Sequence, residues 1–175
     1  MSMPVTMELT APAEAKELLR RLSSPREINE HAGRAVLQLI RGHFIKLDDE
    51  RSKVTGFYRK AANSLSLQTT DDSATITINK PGIGLRRFGG EVNARSGGYL
   101  TIPAIAEAHG KPAGDFDNLR FAMFGGTAAL IDKDTKKPWY WLVKSTQHNP
   151  DATVLPSEQE MQMVVESELD RYFKV

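Results

Sequence analysis

From Ile28 an apolar residue returns at every fourth position, through Ala32, Val36 and Ile40 to Phe44, and that spacing lays them along one face of an α-helix. Ala35, Leu39 and Leu47 widen the stripe, so this side must be buried against other elements. The start of the helix is written just upstream. Ser24-Pro25-Arg26-Glu27 offers an N-cap serine, a proline for the first helical position and a glutamate placed for a capping box. Gly33 and Gly42 each weaken the helix modestly. Asp48-Asp49-Glu50-Arg51 reads as a solvated break, after which Phe57, Tyr58, Ala61, Ala62 and Leu65 carry a shorter helical turn or two.

From about Ser64 the period changes to two. Leu65, Leu67 and Thr69 alternate with polar neighbours, Thr70-Asp71-Asp72-Ser73 is turn chemistry, and Ala74, Ile76 and Ile78 alternate again; together they predict a β-hairpin. The next stretch, Lys80 to Gly98, holds six glycines and reads as a basic Gly-rich loop over 80–98; loops of that length inside a small domain are usually functional. Tyr99-Leu100-Thr101-Ile102 is a short strand stopped by Pro103, and Ala104 to His109 form one helical turn ended by Gly110. Leu119 to Phe124 and Thr127 to Asp132 are apolar strands hinged at Gly125-Gly126. Asp132 to Lys137 is a polar hairpin tip, and Pro138-Trp139-Tyr140-Trp141-Leu142-Val143 is the strand returning beside it.

After a loop containing Asn149-Pro150-Asp151, Ser157 and Glu160 cap a last helix whose apolar side is Met161, Val164, Val165, Leu169 and Tyr172. At the amino end Val5, Met7 and Leu9 suggest a short first strand and Pro12 opens a helix ending near Leu22, so that residues 1–25 form a peripheral segment. Helical and strand segments are segregated along the chain. That predicts an α+β fold, a twisted antiparallel sheet packed against the long helix of the amino-terminal half and the carboxy-terminal helix. With 175 residues the chain is expected to make a single domain over 1–175.

Few chemistries find a handle here. There is no cysteine, which removes disulfides, thiolate zinc sites, iron–sulfur clusters and cysteine nucleophiles together. Gly82-Ile83-Gly84 is followed by Gly89, two positions late for a dinucleotide fingerprint, and Gly110-Lys111 runs into Pro112 where a P-loop needs Ser or Thr. His31, His43, His109 and His148 stand at no metal-binding spacing. Asp132 and Asp134 lack the remaining oxygens of a calcium loop, and no serine sits in a nucleophile elbow. No enzymatic activity, cofactor or metal is expected. Met1 to Thr10 has no basic region followed by an apolar run, and no apolar run reaches the roughly 20 residues that span a bilayer. The expectation is a cytoplasmic protein with no membrane partner.

Charge is what remains. The 23 Lys and Arg against 22 Asp and Glu leave a formal net charge of +1, which gives no bulk field for nucleic acid or an anionic membrane. Yet the charges are sorted. Lys80, Arg86, Arg87 and Arg95 are opposed in their stretch by Glu91 alone, whereas the last helix carries Glu158, Glu160, Glu166, Glu168 and Asp170 against Arg171. The basic loop can touch phosphate, where glycines allow close approach and arginines give bidentate contacts. Equally, the basic loop of one subunit can meet an acidic face of the next and close a ring. The bland reading is a solvated helix back and a loop kept soluble by its arginines. Trp139 and Trp141 share one strand face and Tyr140 the other; one face is expected in the core, and three aromatics in a row leave something large for a partner surface. The candidate contacts are Lys80, Arg86, Arg87, Arg95, Trp139, Tyr140, Glu158 and Glu166.

The run Phe88-Gly89-Gly90-Glu91-Val92-Asn93-Ala94-Arg95-Ser96-Gly97-Gly98-Tyr99-Leu100-Thr101-Ile102-Pro103, followed by Glu107-Ala108-His109-Gly110, resembles the central motif of phage virion morphogenesis proteins, the tail-completion family. Trp141-Leu142-Val143 and the Pro-Asp loop from Asn149 to Val154 follow in that family's order, and His43-Phe44, Phe57-Tyr58 and Ala61-Ala62 look like its amino-terminal half. The resemblance implies a structural virion protein of a tailed phage or prophage, without catalysis, that completes or caps the tail and supports head–tail joining. It implies small α+β subunits assembled into a ring, commonly of six, around the DNA channel. The implied partners are copies of itself, adjacent neck and tail proteins, and DNA in the channel. The implied location is the virion, with assembly in the host cytoplasm. Arg86-Arg87 and the first 25 residues lie outside the likeness. The alternative is a sequence-independent DNA-binding module using Lys80, Arg86, Arg87 and Arg95.

Overall fold

The computed structural model describes residues 12–52 and 55–174; the short strand expected from Val5 to Leu9 lies outside them. In chain order the elements are α1 (Ala13–Leu22), α2 (Pro25–Leu47), a π-helical turn (Asp48–Ser52), α3 (Phe57–Asn63), β1 (Leu65–Thr69), β2 (Ala74–Ile78), α4 (Ile83–Phe88), β3 (Gly90–Asn93), β4 (Leu100–Pro103), β5 (Leu119–Phe124), β6 (Thr127–Asp132), β7 (Pro138–Val143), β8 (Ser145–His148) and α5 (Glu158–Phe173). The fold is α+β with antiparallel pairing, its described strands shared among three sheets. The chain gathers into two compact units: residues up to His43 with Ser64–Asn79 and Pro156 onward, and Phe44–Asn63 with Lys80–Leu155.

In the first unit the β1–β2 hairpin packs on α2. Gly33 is its seat: a Cβ there would lie 2.8 Å from Ala74 Cβ and 2.8 Å from Leu67 Cδ1, so only glycine lets the hairpin come this close. Asn29 Nδ2 donates to the carbonyls of Thr70 and Asp71 at 3.2 and 3.0 Å, which pins the hairpin turn to the helix. The capping box of α5 is formed, with Glu160 N donating to Ser157 Oγ at 3.2 Å and Ser157 N to the Glu160 carboxylate at 2.8 Å. From α5, Glu168 lies 3.0 Å from His31 Nδ1 and the Tyr172 ring 4.4 Å from the His31 ring.

The capping box expected at Ser24 is replaced. Ser24 Oγ donates to the Arg20 carbonyl at 3.1 Å, and the Glu27 carboxylate accepts from Tyr172 Oη at 3.0 Å and Arg20 Nη1 at 3.4 Å. Only Ser23 and Ser24 separate α1 from α2, so the unpaired carbonyls ending α1 compete for the hydroxyl that would have capped α2.

The second unit holds a four-stranded sheet of order β4-β7-β6-β5 and the β3–β8 ladder. The β3–β8 and β4–β7 ladders follow one another along the same two chain segments. Gly90 pairs with His148 and Asn93 with Ser145, Ala94 N donates to Lys144 O at 2.8 Å, and Leu100 pairs with Val143. Between them Arg95 to Tyr99 leaves the ladder as a turn, closed by Gly98 N on Arg95 O at 3.0 Å, with Gly97 at φ +74°. Lys144 Nζ donates to the carbonyls of Gly97 and Gly98 at 2.7 and 2.8 Å.

The long loop expected over 80–98 is therefore corrected to a helix, a strand and a short turn. A six-residue helix is too brief to display a period, and polar Ser145–His148, missed as β8, is a strand because β3 pairs with it. The glycines serve packing as well as flexibility. At Gly89, with φ +70°, a Cβ would meet His148 O at 2.7 Å and Pro150 N at 2.8 Å.

Gly33 and Gly42 test this account in opposite directions. At either position alanine favours the helix by about 1 kcal/mol, but overpacking costs about 1–3 kcal/mol. Nothing lies within 4 Å of a Cβ at Gly42. Urea unfolding should show Gly42→Ala raising stability and Gly33→Ala lowering it.

Candidate assembly edges and a basic cleft

Asp48 lies 2% exposed, although its acidic run suggested a solvated break. Its Oδ1 accepts from Ser52 Oγ at 2.6 Å, Tyr58 N at 3.1 Å and Arg59 N at 3.0 Å, and its Oδ2 from Arg59 Nε at 3.2 Å. The first turn of α3 has backbone donors with no helical acceptor, and this carboxylate fills them. The wider winding of the π-helical turn carries the chain from α2 into this arrangement, while Asp49 stays exposed and pairs with Arg59 at 3.2 Å. Burial by itself raises the Asp48 pKa, but the hydrogen bonds from Ser52 and Arg59 outweigh it and hold the carboxyl below its ordinary range.

With α3 capped, Phe57 and Tyr58 meet edge to face at 5.1 Å and form a platform for cations. The Arg86 guanidinium of α4 lies 4.4 Å from the Phe57 ring centre and 5.5 Å from that of Tyr58, and Lys80 Nζ lies 4.8 Å from Phe57. Two of the four expected basic residues are thus brought together by an aromatic pair. Arg51 was not foreseen. Its Nη1 donates to Asp151 Oδ2 at 2.9 Å and Thr153 Oγ1 at 3.1 Å, and Asp151 N donates to the Arg86 carbonyl at 3.0 Å. A cleft of about 540 Å³ opens among Arg51, Thr55, Arg86, Ile105 and His109.

The other expected contacts lie elsewhere. Arg87 is half-buried and its guanidinium is 5.5 Å from the ring of Phe88, which is itself 75% exposed. Arg95 is exposed on the turn between β3 and β4. Trp139 is half-buried and meets Phe116 edge to face at 4.8 Å. Tyr140 is corrected to a core residue: it is 1% exposed and its hydroxyl donates to the carbonyls of Ala108 and Lys111 at 3.3 and 3.0 Å. A buried phenol needs such acceptors, and the turn after β4 supplies them. Glu158 and Glu166 are exposed on α5 in the first unit, with Glu166 accepting from Gln162 Nε2 at 2.7 Å.

Among the described residues both outer strands of the four-stranded sheet have one ladder partner each, β7 for β4 and β6 for β5. On β5, Phe121 and Met123 are 56% and 63% exposed, and beside β4 Tyr99 is 47% exposed. Among the described residues no group of three or more His, Asp or Glu is placed to hold a metal ion, and no helix is long and apolar enough to cross a membrane. No family model, curated protein or solved structure matches this chain.

The Asp48 cap sets a pH dependence. Because the folded pKa is depressed, the stabilisation is present above the unfolded pKa and lost as pH falls through the folded one. Urea midpoints of the wild-type chain should fall as pH drops below the ordinary carboxylate range, and Asp48→Asn should flatten that decline while costing about 1–3 kcal/mol near neutrality through weakened hydrogen bonds. An unchanged acid limb in the variant would contradict the assignment.

Proposed function

We propose that this chain is a structural assembly protein of a tailed-phage virion that completes or caps the tail and supports head–tail joining through self-association into a ring. The observation carrying the reading is the pair of sheet edges in the second unit that are open among the described residues. Proteins that remain alone blunt such edges with charge, proline, bulges or cover. Here β5 carries one exposed charge, Arg120, but also shows Phe121 and Met123 to solvent, which sets apolar side chains along an edge strand. Another strand added there gains main-chain hydrogen bonds and about 25 cal/mol for each Å² of apolar surface covered.

The two edges differ, so an edge of one subunit on the opposite edge of the next is a head-to-tail contact, the kind that closes rings. The resemblance noted in the sequence bears on the same place. Its Leu100-Thr101-Ile102-Pro103 segment is β4, one of the two open edges, and the Arg95–Tyr99 turn leads into it. Pro103, which has no N–H to offer, blunts the end of β4, so strand addition at that edge falls to residues 100–102. A second reading, a sequence-independent DNA-binding module, is favoured by Lys80 and Arg86, which have no acidic partner among the described residues.

Native mass measurement of the purified chain and of the Phe121→Glu/Met123→Glu variant tests the assembly reading. The wild type should form a closed oligomer and the variant should be monomeric with an unchanged urea midpoint. A variant that assembles like the wild type would remove the edge from the account.

A further inference from the structure

We infer that the cleft between Arg51 and Arg86 is a binding site for a phosphate group, carried either by a nucleic-acid strand or by a small phosphorylated molecule. The inference rests on the second reading above, which it narrows to a place, and is independent of self-association. Arg86 is held over an aromatic ring. Its guanidinium carbon lies 4.4 Å from the Phe57 ring centre, and an arginine carried on a ring grips oxyanions in bidentate fashion through its N–H groups. Its backbone is fixed as well, since its carbonyl accepts from Asp151 N at 3.0 Å.

Arg51 is oriented by Asp151 and Thr153 through Nη1 alone, so the rest of its five-donor fork is available. The hydroxyls are already committed as donors, Ser52 Oγ to Asp48 and Thr55 Oγ1 to the Ser52 carbonyl, which leaves the two guanidinium groups to supply the positive edge. No carboxylate is among the residues lining the cleft. Arg51 is already paired with Asp151 at 2.9 Å, so Arg86, with no acidic partner among the described residues, carries the uncompensated charge and Arg51 adds oriented donors to the same space. Ala104, Ile105, Ala106 and His109 complete the lining. Volume of about 540 Å³ with an apolar side exceeds what a bare phosphate fills, and suits the sugar or base attached to one.

The full chain is titrated with inorganic phosphate, with a mononucleotide and with duplex DNA, and binding is followed as salt is raised. Arg86→Gln and Arg51→Gln should each weaken binding about tenfold, the loss of one charge-assisted contact, and each should lower the slope against log salt for duplex by about one. Arg86→Lys, which keeps charge without the planar fork, should fall between. Arg87→Gln and Arg95→Gln should stay near wild type, and all variants should keep the wild-type urea midpoint. Losses seen with duplex assign the strand; losses confined to phosphate and mononucleotide assign the small molecule. Duplex binding that survives both cleft variants overturns the site but leaves a DNA-binding reading standing, whereas no binding of any probe overturns both.

Discussion

Asp48 gives up its water on folding and recovers it as hydrogen bonds from Ser52, Tyr58 and Arg59. A buried carboxylate left unpaired is among the most expensive groups a protein can carry, so these donors must be held in place together. That demand fixes where α2 ends and α3 begins. Once α3 is capped, Phe44 stacks with Tyr58 at 6.1 Å in the core, Phe57 and Tyr58 form their edge-to-face pair, and Arg86 has a platform to lie on. The cleft is thus a remote product of one carboxylate, and Arg59, more than half exposed, is the side-chain counter-charge that stops it being a pure loss.

What the sequence disclosed follows from how local each signal is. The helical stripe from Ile28 to Phe44, the alternation in β1 and β2, and the Ser157–Glu160 box are written within a few residues, and the structure has them where expected. The strands β5 to β7 were legible for the same reason, since Gly125-Gly126 and the polar tip at Asp132–Lys137 mark both turns. What stayed hidden depends on residues far apart. Asp48 reads as one more acid in a charged run, and only the amides of Tyr58 and Arg59 turn it inward. Ser145–His148 is polar throughout, and only β3 makes it a strand. Alternation puts Tyr140 opposite Trp139 and Trp141 without saying which face is inside, and the turn carrying Ala108 and Lys111, whose carbonyls accept from its hydroxyl, decides it. Of the candidate contacts, Lys80 and Arg86 converge on Phe57, while Arg51, the third cation of that region, lay in the same misread run as Asp48.

The second unit shows two surfaces with different physics. The edges of the four-stranded sheet offer hydrogen bonds and apolar area, a neutral attraction that salt does not screen. The cleft offers oriented guanidinium groups, whose pull on a phosphate weakens as salt rises. The ring subunit proposed above would use both, one to hold its neighbours and the other to meet a phosphate. The acidic exposed side of α5, with Glu158 and Glu166, belongs to the first unit and adds a surface of opposite sign.

The proposed role in completing the tail is tested most directly by electron microscopy of lysates from a phage or prophage lacking this chain. The account predicts DNA-filled heads and separate tails that fail to join, with joining restored when the wild-type chain is supplied. Intact, infectious, fully joined particles in its absence would contradict it.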